Sequence, residues 1–128
     1  MSIVIRSYHL DGYGHVNNAR YLEFLEEARW VFFERKGLSA LLGDIQMVVS
    51  RMDIRYRRSA QEGDVLETET RLFEVLPRQI KFRQMMVFQN NGKVAVEAEV
   101  TLMGVQNGKA VSLSESLRSA LDGLVVRD

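Results

Sequence analysis

Residues 17–37 constrain the fold of this chain more than any other segment. Tyr21, Phe24, Leu25, Ala28 and Phe32 fall at i, i+3, i+4, i+7 and i+11, the spacing of one helical face, and Leu22, Val31 and Phe33 broaden the stripe. Glu23, Glu26, Glu27 and Glu34 take other positions. Asn17 or Asn18 can supply the N-cap, and Gly37 is placed to stop the helix. A helix so rich in bulky apolar side chains calls for something wrapped around it. Tyr21, Phe24, Trp30, Phe32 and Phe33 therefore read first as core.

The rest of the chain is mostly strand. Residues 3–9 read as a short strand, followed by the irregular turn Asp11-Gly12-Tyr13-Gly14. From Val48 a period of two sets Val48, Ser50, Met52, Ile54 and Tyr56 on one face and Val49, Arg51, Asp53, Arg55 and Arg57 on the other. Glu62-Gly63-Asp64 turns into a strand over 65–76, which Pro77 breaks. The next strand, 80–88, shows Ile80, Phe82, Gln84, Met86 and Phe88 on one face. Asn90-Asn91-Gly92 is a hairpin turn into a strand over 94–105, with Val94, Val96, Ala98, Val100 and Leu102 aligned. A last amphipathic helix starts near Ser114 and carries Leu117, Leu121 and Leu124.

Tight turns imply antiparallel neighbours. One apolar helix against a strongly curved antiparallel sheet buries both apolar faces, so the fold class is α+β. A ferredoxin-like arrangement needs a second full helix between strands, and residues 62–106 contain none. The length of 128 residues suits one domain, 1–128.

Composition excludes several chemistries. The 17 basic and 17 acidic residues balance, which argues against a free nucleic-acid-binding domain. Zero cysteines rule out a disulfide, a thiolate zinc site, an iron–sulfur cluster and a cysteine nucleophile. No apolar run approaches the ~18 residues of a membrane-spanning helix. Met1 to Arg6 shows no signal-peptide pattern. The expectation is a cytoplasmic domain without a membrane anchor or a nucleic-acid partner.

Most of the early polar residues that can do chemistry crowd into residues 8–21. Asp11 sits on a glycine-hinged loop just ahead of the first turn of the apolar helix. A helix N-terminus presents unpaired N–H groups and about half a positive charge, a fit for a developing oxyanion. A carboxylate beside it can attack a carbonyl or activate water. Together they suffice for acyl transfer. An aspartate between glycines is equally an ordinary turn residue, and His15, Asn17 and Asn18 are equally capping and loop-ordering groups, so spacing leaves both readings open. His9, Asp11 and His15 are too few, and wrongly spaced, to select a metal, and no metal or cofactor is expected.

The string Asp11-x-x-Gly14-His15-Val16-Asn17-Asn18-x-x-Tyr21, followed by Glu26-x-Ala28-Arg29, resembles the N-terminal motif of hotdog-fold acyl-CoA thioesterases of the 4-hydroxybenzoyl-CoA thioesterase type. The longer run from Tyr8 to Trp30, with Tyr56-Arg57-Arg58, is similar to their bacterial long-chain subgroup, thioesterase III. The resemblance implies a five-stranded antiparallel sheet wrapped around a long central helix. It also implies a homodimer with active sites at its interface, commonly paired into a dimer of dimers. The implied activity is hydrolysis of medium- to long-chain fatty acyl-CoA without a cofactor.

By position in the motif, Asp11 takes the role of the catalytic carboxylate, as nucleophile or general base. The carbonyl-polarising backbone amide falls on Asn18, and His15 is a catalytic candidate, either acting directly or orienting the carboxylate or its loop. Tyr21 falls among the substrate-binding positions. Arg57 and Arg58 either meet the coenzyme A phosphates or belong to a solvated strand face. Arg78, after Pro77, stands where relatives hold the nucleotide phosphates, with Lys81 and Arg83 as lesser options; here Gln79-Ile80 replaces the small hydroxyl residue common in relatives. Two alternatives keep the fold: an acyl-carrier-protein thioesterase docking through the basic run Arg51 to Arg58, and a non-catalytic acyl-binding module. Hotdog hydratases use a histidine with a carboxylate in a different context, which the Asp11 motif does not resemble.

Overall fold

The computed structural model describes residues 1–126. Asn17 caps the long helix α1 (Asn18–Arg35), its side-chain oxygen accepting from Ala19 N–H at 3.0 Å. At the other end Gly37 turns left-handed, with φ 68°. Its N–H donates to Glu34 O, and Leu38 N–H reaches back to Phe33 O at 2.9 Å. This is a Schellman closure, and it needs a residue without the Cβ penalty at position 37.

Five strands lie in the order β1 (Ser2–Val4), β3 (Val65–Val75), β4 (Gln79–Phe88), β5 (Val94–Gln106) and β2 (Gln46–Tyr56), all antiparallel to their neighbours. Helix α1 crosses the inner face. Phe32 and Phe33 stack edge-on against Phe82 of β4, and Tyr21 meets Tyr56 at the end of β2. The core under the helix includes Leu25, Leu66, Leu72, Ile80, Phe82, Met86, Val96 and Val100. A short α2 (Ser39–Leu42) links helix to sheet, and α3 (Glu115–Asp122), capped by Ser114, buries Leu117 and Leu121.

The structure bears out the expected α+β architecture and departs from it locally. The strand expected over 3–9 stops at Val4. Arg6 N–H instead donates to His9 Nδ1 at 2.9 Å and Leu10 N–H to Ser7 O, winding Ser7–His9 into a 3-10 turn. A sixth strand, β6 (Lys109–Ala110), pairs with the end of β5 across Asn107-Gly108, both with positive φ. That is the geometry of a two-residue type I′ hairpin.

The strict alternation expected along β2 also fails, because a bulge interrupts the register between Val49 and Arg51. Before it Val49 pairs with Leu102. After it Met52, Ile54 and Tyr56 pair with Val100, Ala98 and Val96. The extra residue shifts the phase, so Val49 joins the inner face, where a period of two places it outside. Close packing accounts for Gly104 in β5: a Cβ there would lie 2.9 Å from Leu113 Cδ2 and 3.2 Å from Val111 O.

Two residues of α1 behave unlike a simple apolar stripe. Trp30, expected in the core, is 54% exposed, because the helical period places it on the side of α1 opposite the buried Tyr21. Arg29 is buried. Its Nη1 donates to Gln84 Oε1 at 3.0 Å, and Gln84 Nε2 donates to Leu25 O at 2.9 Å and Thr70 Oγ1 at 3.1 Å. Among the described residues no carboxylate forms an ion pair with Arg29. The neutral amide of Gln84 therefore satisfies a buried cation and ties α1 to β3 and β4 at the same time.

Removing that amide leaves a buried guanidinium short of its acceptor. Gln84→Ala is expected to cost about 2–4 kcal/mol of unfolding free energy, measured by urea denaturation.

Candidate active site

The loop ahead of α1 is closed on itself. Asp11 N–H donates to His15 O at 2.7 Å, Gly14 N–H to Asp11 O at 3.2 Å, and Leu10 and Val16 form an antiparallel bridge. Gly14, at φ 78°, lets the chain turn back within this short span. The Asp11 carboxylate orders the loop through Oδ1, which accepts from Tyr13 N–H at 2.8 Å and from His15 N–H at 3.3 Å. Oδ2 has no hydrogen-bond partner among the described residues. The loop-ordering bonds thus use one oxygen and leave the other open.

The helix end beside this loop keeps a free donor. Asn17 N–H donates to His9 O at 2.8 Å, Ala19 N–H to the Asn17 side chain, and Arg20 N–H to Asn17 O at 2.9 Å. Asn18 N–H, the first amide of α1, has no acceptor among the described residues. It sits where the helix dipole is most positive.

Asp11, His15, Asn18, Tyr21, Arg57 and Arg58 line one recess of about 250 Å³. Six of the seven residues singled out from the sequence thus come together, although Arg57 and Arg58 are some forty positions away in the chain. The seventh, Arg78, is exposed at the turn between β3 and β4, outside this recess, where its carbonyl accepts from Gly104 N–H. Val16, Tyr56 and Ser59 complete the lining. Ser59 carries no chemical pattern of its own in the sequence; its adjacency to Arg57-Arg58 was the available clue.

A peptide clamp holds the two walls together. Val16 N–H donates to Ala60 O at 3.0 Å, and Ala60 N–H donates to the Tyr21 hydroxyl at 3.1 Å. Ala60 is fully buried and Tyr21 nearly so, and burial raises the Tyr21 phenol above its ordinary pKa, leaving it protonated through the neutral range. The two arginines differ. Arg57 Nε donates to Glu97 Oε1 at 3.0 Å and forms an ion pair with that carboxylate. Arg58 Nη1 donates to the neutral Val94 carbonyl at 2.9 Å and forms no ion pair among the described residues.

His9 lies outside the recess, packed edge-on against Phe24, so His9, Asp11 and His15 do not converge. Among the described residues no cluster of His, Cys, Asp or Glu is placed to hold a metal ion. A larger open depression of about 470 Å³ lies on the outer face of the sheet. Four of its charged side chains pair across it, Arg83 with Glu99 and Arg71 with Glu69, and no residue of α1 lines it. The smaller recess is therefore the candidate site. No described helix is long and apolar enough to cross a membrane.

The sequence model of the thioesterase-like superfamily matches residues 5–121. The long-chain acyl-CoA thioesterase FadM of Escherichia coli K12 is 37% identical over 127 residues, 96% of each chain. Among solved structures, YbaW, a probable thioesterase from Escherichia coli, superposes with a TM-score of 0.87 at 36% identity over 98% of each chain. A thioesterase from Thermus thermophilus, complexed with coenzyme A and zinc, gives a TM-score of 0.85 at 27% identity, covering 100% of this chain and 95% of that one.

The setting of His9 generates a pH prediction. Burial first, then Arg20 and Arg6, lower its pKa from the ordinary 6.5, and its Nδ1 must stay unprotonated to accept from Arg6 N–H. The unfolded chain therefore takes up a proton that the folded chain resists, and the stability due to His9 is lost as pH falls below about 6.5. Melting temperatures measured between pH 5 and 8 are expected to drop on the acid side, and to drop less in His9→Gln.

Proposed function

The chain belongs to the thioesterase-like superfamily, and from that membership we propose that it is an acyl-CoA thioesterase that hydrolyses medium- to long-chain fatty acyl-CoA to the free acid and coenzyme A. The observation that carries this reading is the sharing of one recess by the Asp11 carboxylate and the unpaired Asn18 amide.

On this reading the thioester carbonyl accepts from Asn18 N–H, which stabilises negative charge as the carbonyl carbon becomes tetrahedral. In the general-base route Asp11 takes a proton from water as the water oxygen bonds to the carbonyl carbon. The C–S bond then breaks, and the proton passes to the departing thiolate. In the nucleophilic route Asp11 itself bonds to the carbonyl carbon and expels the thiolate, and water then hydrolyses the mixed anhydride. Both routes consume one water and yield thiol and carboxylic acid, which releases a proton to become carboxylate. His15, whose backbone N–H already meets Asp11, keeps the loop in register.

Arg58, in no ion pair among the described residues, supplies positive charge to the recess. Arg78 lies outside the recess formed by its own chain, so its proposed contact with the coenzyme A phosphates fits a site shared between two copies. A homodimer is supported by the sheet itself. The eleven-residue β2 bonds only to β5, and Val49 and Tyr56 on its inner face, with Leu22 on α1, stay open in the single chain. Pairing of such dimers into a tetramer belongs to the same proposal.

Asp11→Asn keeps size and hydrogen bonding but removes the base or nucleophile. The expected result is a fall in hydrolysis of about 10²–10⁴-fold with acyl-CoA binding retained, read as free thiol against a panel of acyl-CoAs of graded length. Turnover near the native rate would overturn the role of Asp11. Faster turnover of a matched acyl-carrier-protein substrate would reassign the carrier.

A further inference from the structure

Tyr21 holds a hydrogen-bond donor that the scheme above does not use. Its hydroxyl accepts from Ala60 N–H, and its own proton has no acceptor among the described residues. The side chain is 4% exposed, so this is a nearly buried phenol with one polar valence spent and one open. The oxygen lies against Ala60, whose chain neighbour Ser59 and whose hydrogen-bond partner Val16 both line the recess, as Tyr21 itself does.

A buried donor without an acceptor costs free energy, and such groups persist where something satisfies them. Accepting from an amide also polarises the phenol, making its O–H a better donor. An oxyanion of a tetrahedral intermediate has lone pairs for two donors, and the backbone offers it one, Asn18 N–H. Tyr21 stands one helical turn into α1, on the same element as that amide, so the spacing between them is set by the helix and not by a mobile loop.

We propose that the Tyr21 hydroxyl is the second hydrogen-bond donor to the thioester oxygen, acting with Asn18 N–H as that oxygen becomes an oxyanion. The proton stays on the phenol throughout; the hydroxyl stabilises charge and transfers nothing. Raised by burial, the phenol remains neutral, hence a donor, over the whole range in which Asp11 works as a carboxylate. The inference rests on the thioesterase reading, and it adds a catalytic residue on the oxygen side of the carbonyl, opposite in role to Asp11.

The test compares Tyr21→Phe with the native enzyme on a long-chain acyl-CoA, alongside binding of a thioether analogue that has no carbonyl. The expected result is a fall of about 10²-fold in kcat, with KM and thioether affinity within about twofold. A kcat within threefold of native would overturn the proposal. So would a loss of thioether affinity in proportion to the loss of kcat, since that is what loosening the Ala60 clamp alone would produce.

Because Tyr21→Phe orphans the buried Ala60 N–H and can unfold the chain, 3,5-difluorotyrosine at position 21 supplies a second measurement. It keeps the acceptor and the shape but ionises at lower pH, so the alkaline limb of kcat should move down with it. An unmoved limb would overturn the assignment. Loss of activity in Asp11→Asn with native kcat in Tyr21→Phe would sink this inference alone; native activity in Asp11→Asn would sink the thioesterase reading beneath it.

Discussion

The seating of α1 on the inner face of the sheet governs the rest of this structure. Leu25, Ala28 and Phe33 provide the apolar contact, but apolar contact is non-directional and tolerates sliding. The polar link from Arg29 through Gln84 to the Leu25 carbonyl and Thr70 does not. A shift of α1 by one residue would strand a buried cation. That link fixes where the helix begins, and the beginning of the helix is where the candidate chemistry lies.

Much of the fold was legible because its signals are local. Asn17 and Ser114 as caps, Gly37 as a stop and Asn90-Asn91-Gly92 as a turn act within a few residues, and each does so in the structure. What was missed depends on partners distant in sequence. The bulge in β2 arises only once β5 is beside it, and nothing in Val49-Ser50-Arg51 announces it. Trp30 reads as core by composition, yet its angular position on α1 is opposite the buried Tyr21. Arg29 entered the sequence reading only as part of a motif, and its burial depends on Gln84, 55 positions away. The hairpin to β6 is a different failure: Asn107-Gly108 is a local signal, but only two residues follow it as strand, too few to show a period of two.

The candidate site divides along the same line. Asp11, His15, Asn18 and Tyr21 were readable as one motif because loop and helix end form a single local unit. Arg57 and Arg58 required the motif of a second segment, and only the Ala60 clamp explains why that segment meets the first. Resemblance to a family could nominate all six but could not distinguish the arginines. Glu97 does so, by neutralising one and leaving the other. Tyr56, named with those arginines in the second motif, and Ser59, next to them in sequence, enter the lining through that segment.

The two borders of the sheet are unlike in a way that bears on the life of the newly made chain. β1 is three residues long and offers little to a stray strand, whereas β2 runs for eleven, with Arg51, Asp53 and Arg55 turned outward. A long free border is a template for aggregation, and charge on it slows unwanted partners without abolishing the backbone groups that would recruit them. If β2 pairs with β2 of a second copy, as proposed, completion of the fold depends on protein concentration. In the homodimer proposed above, a lone copy would keep that border open until a second copy covered it.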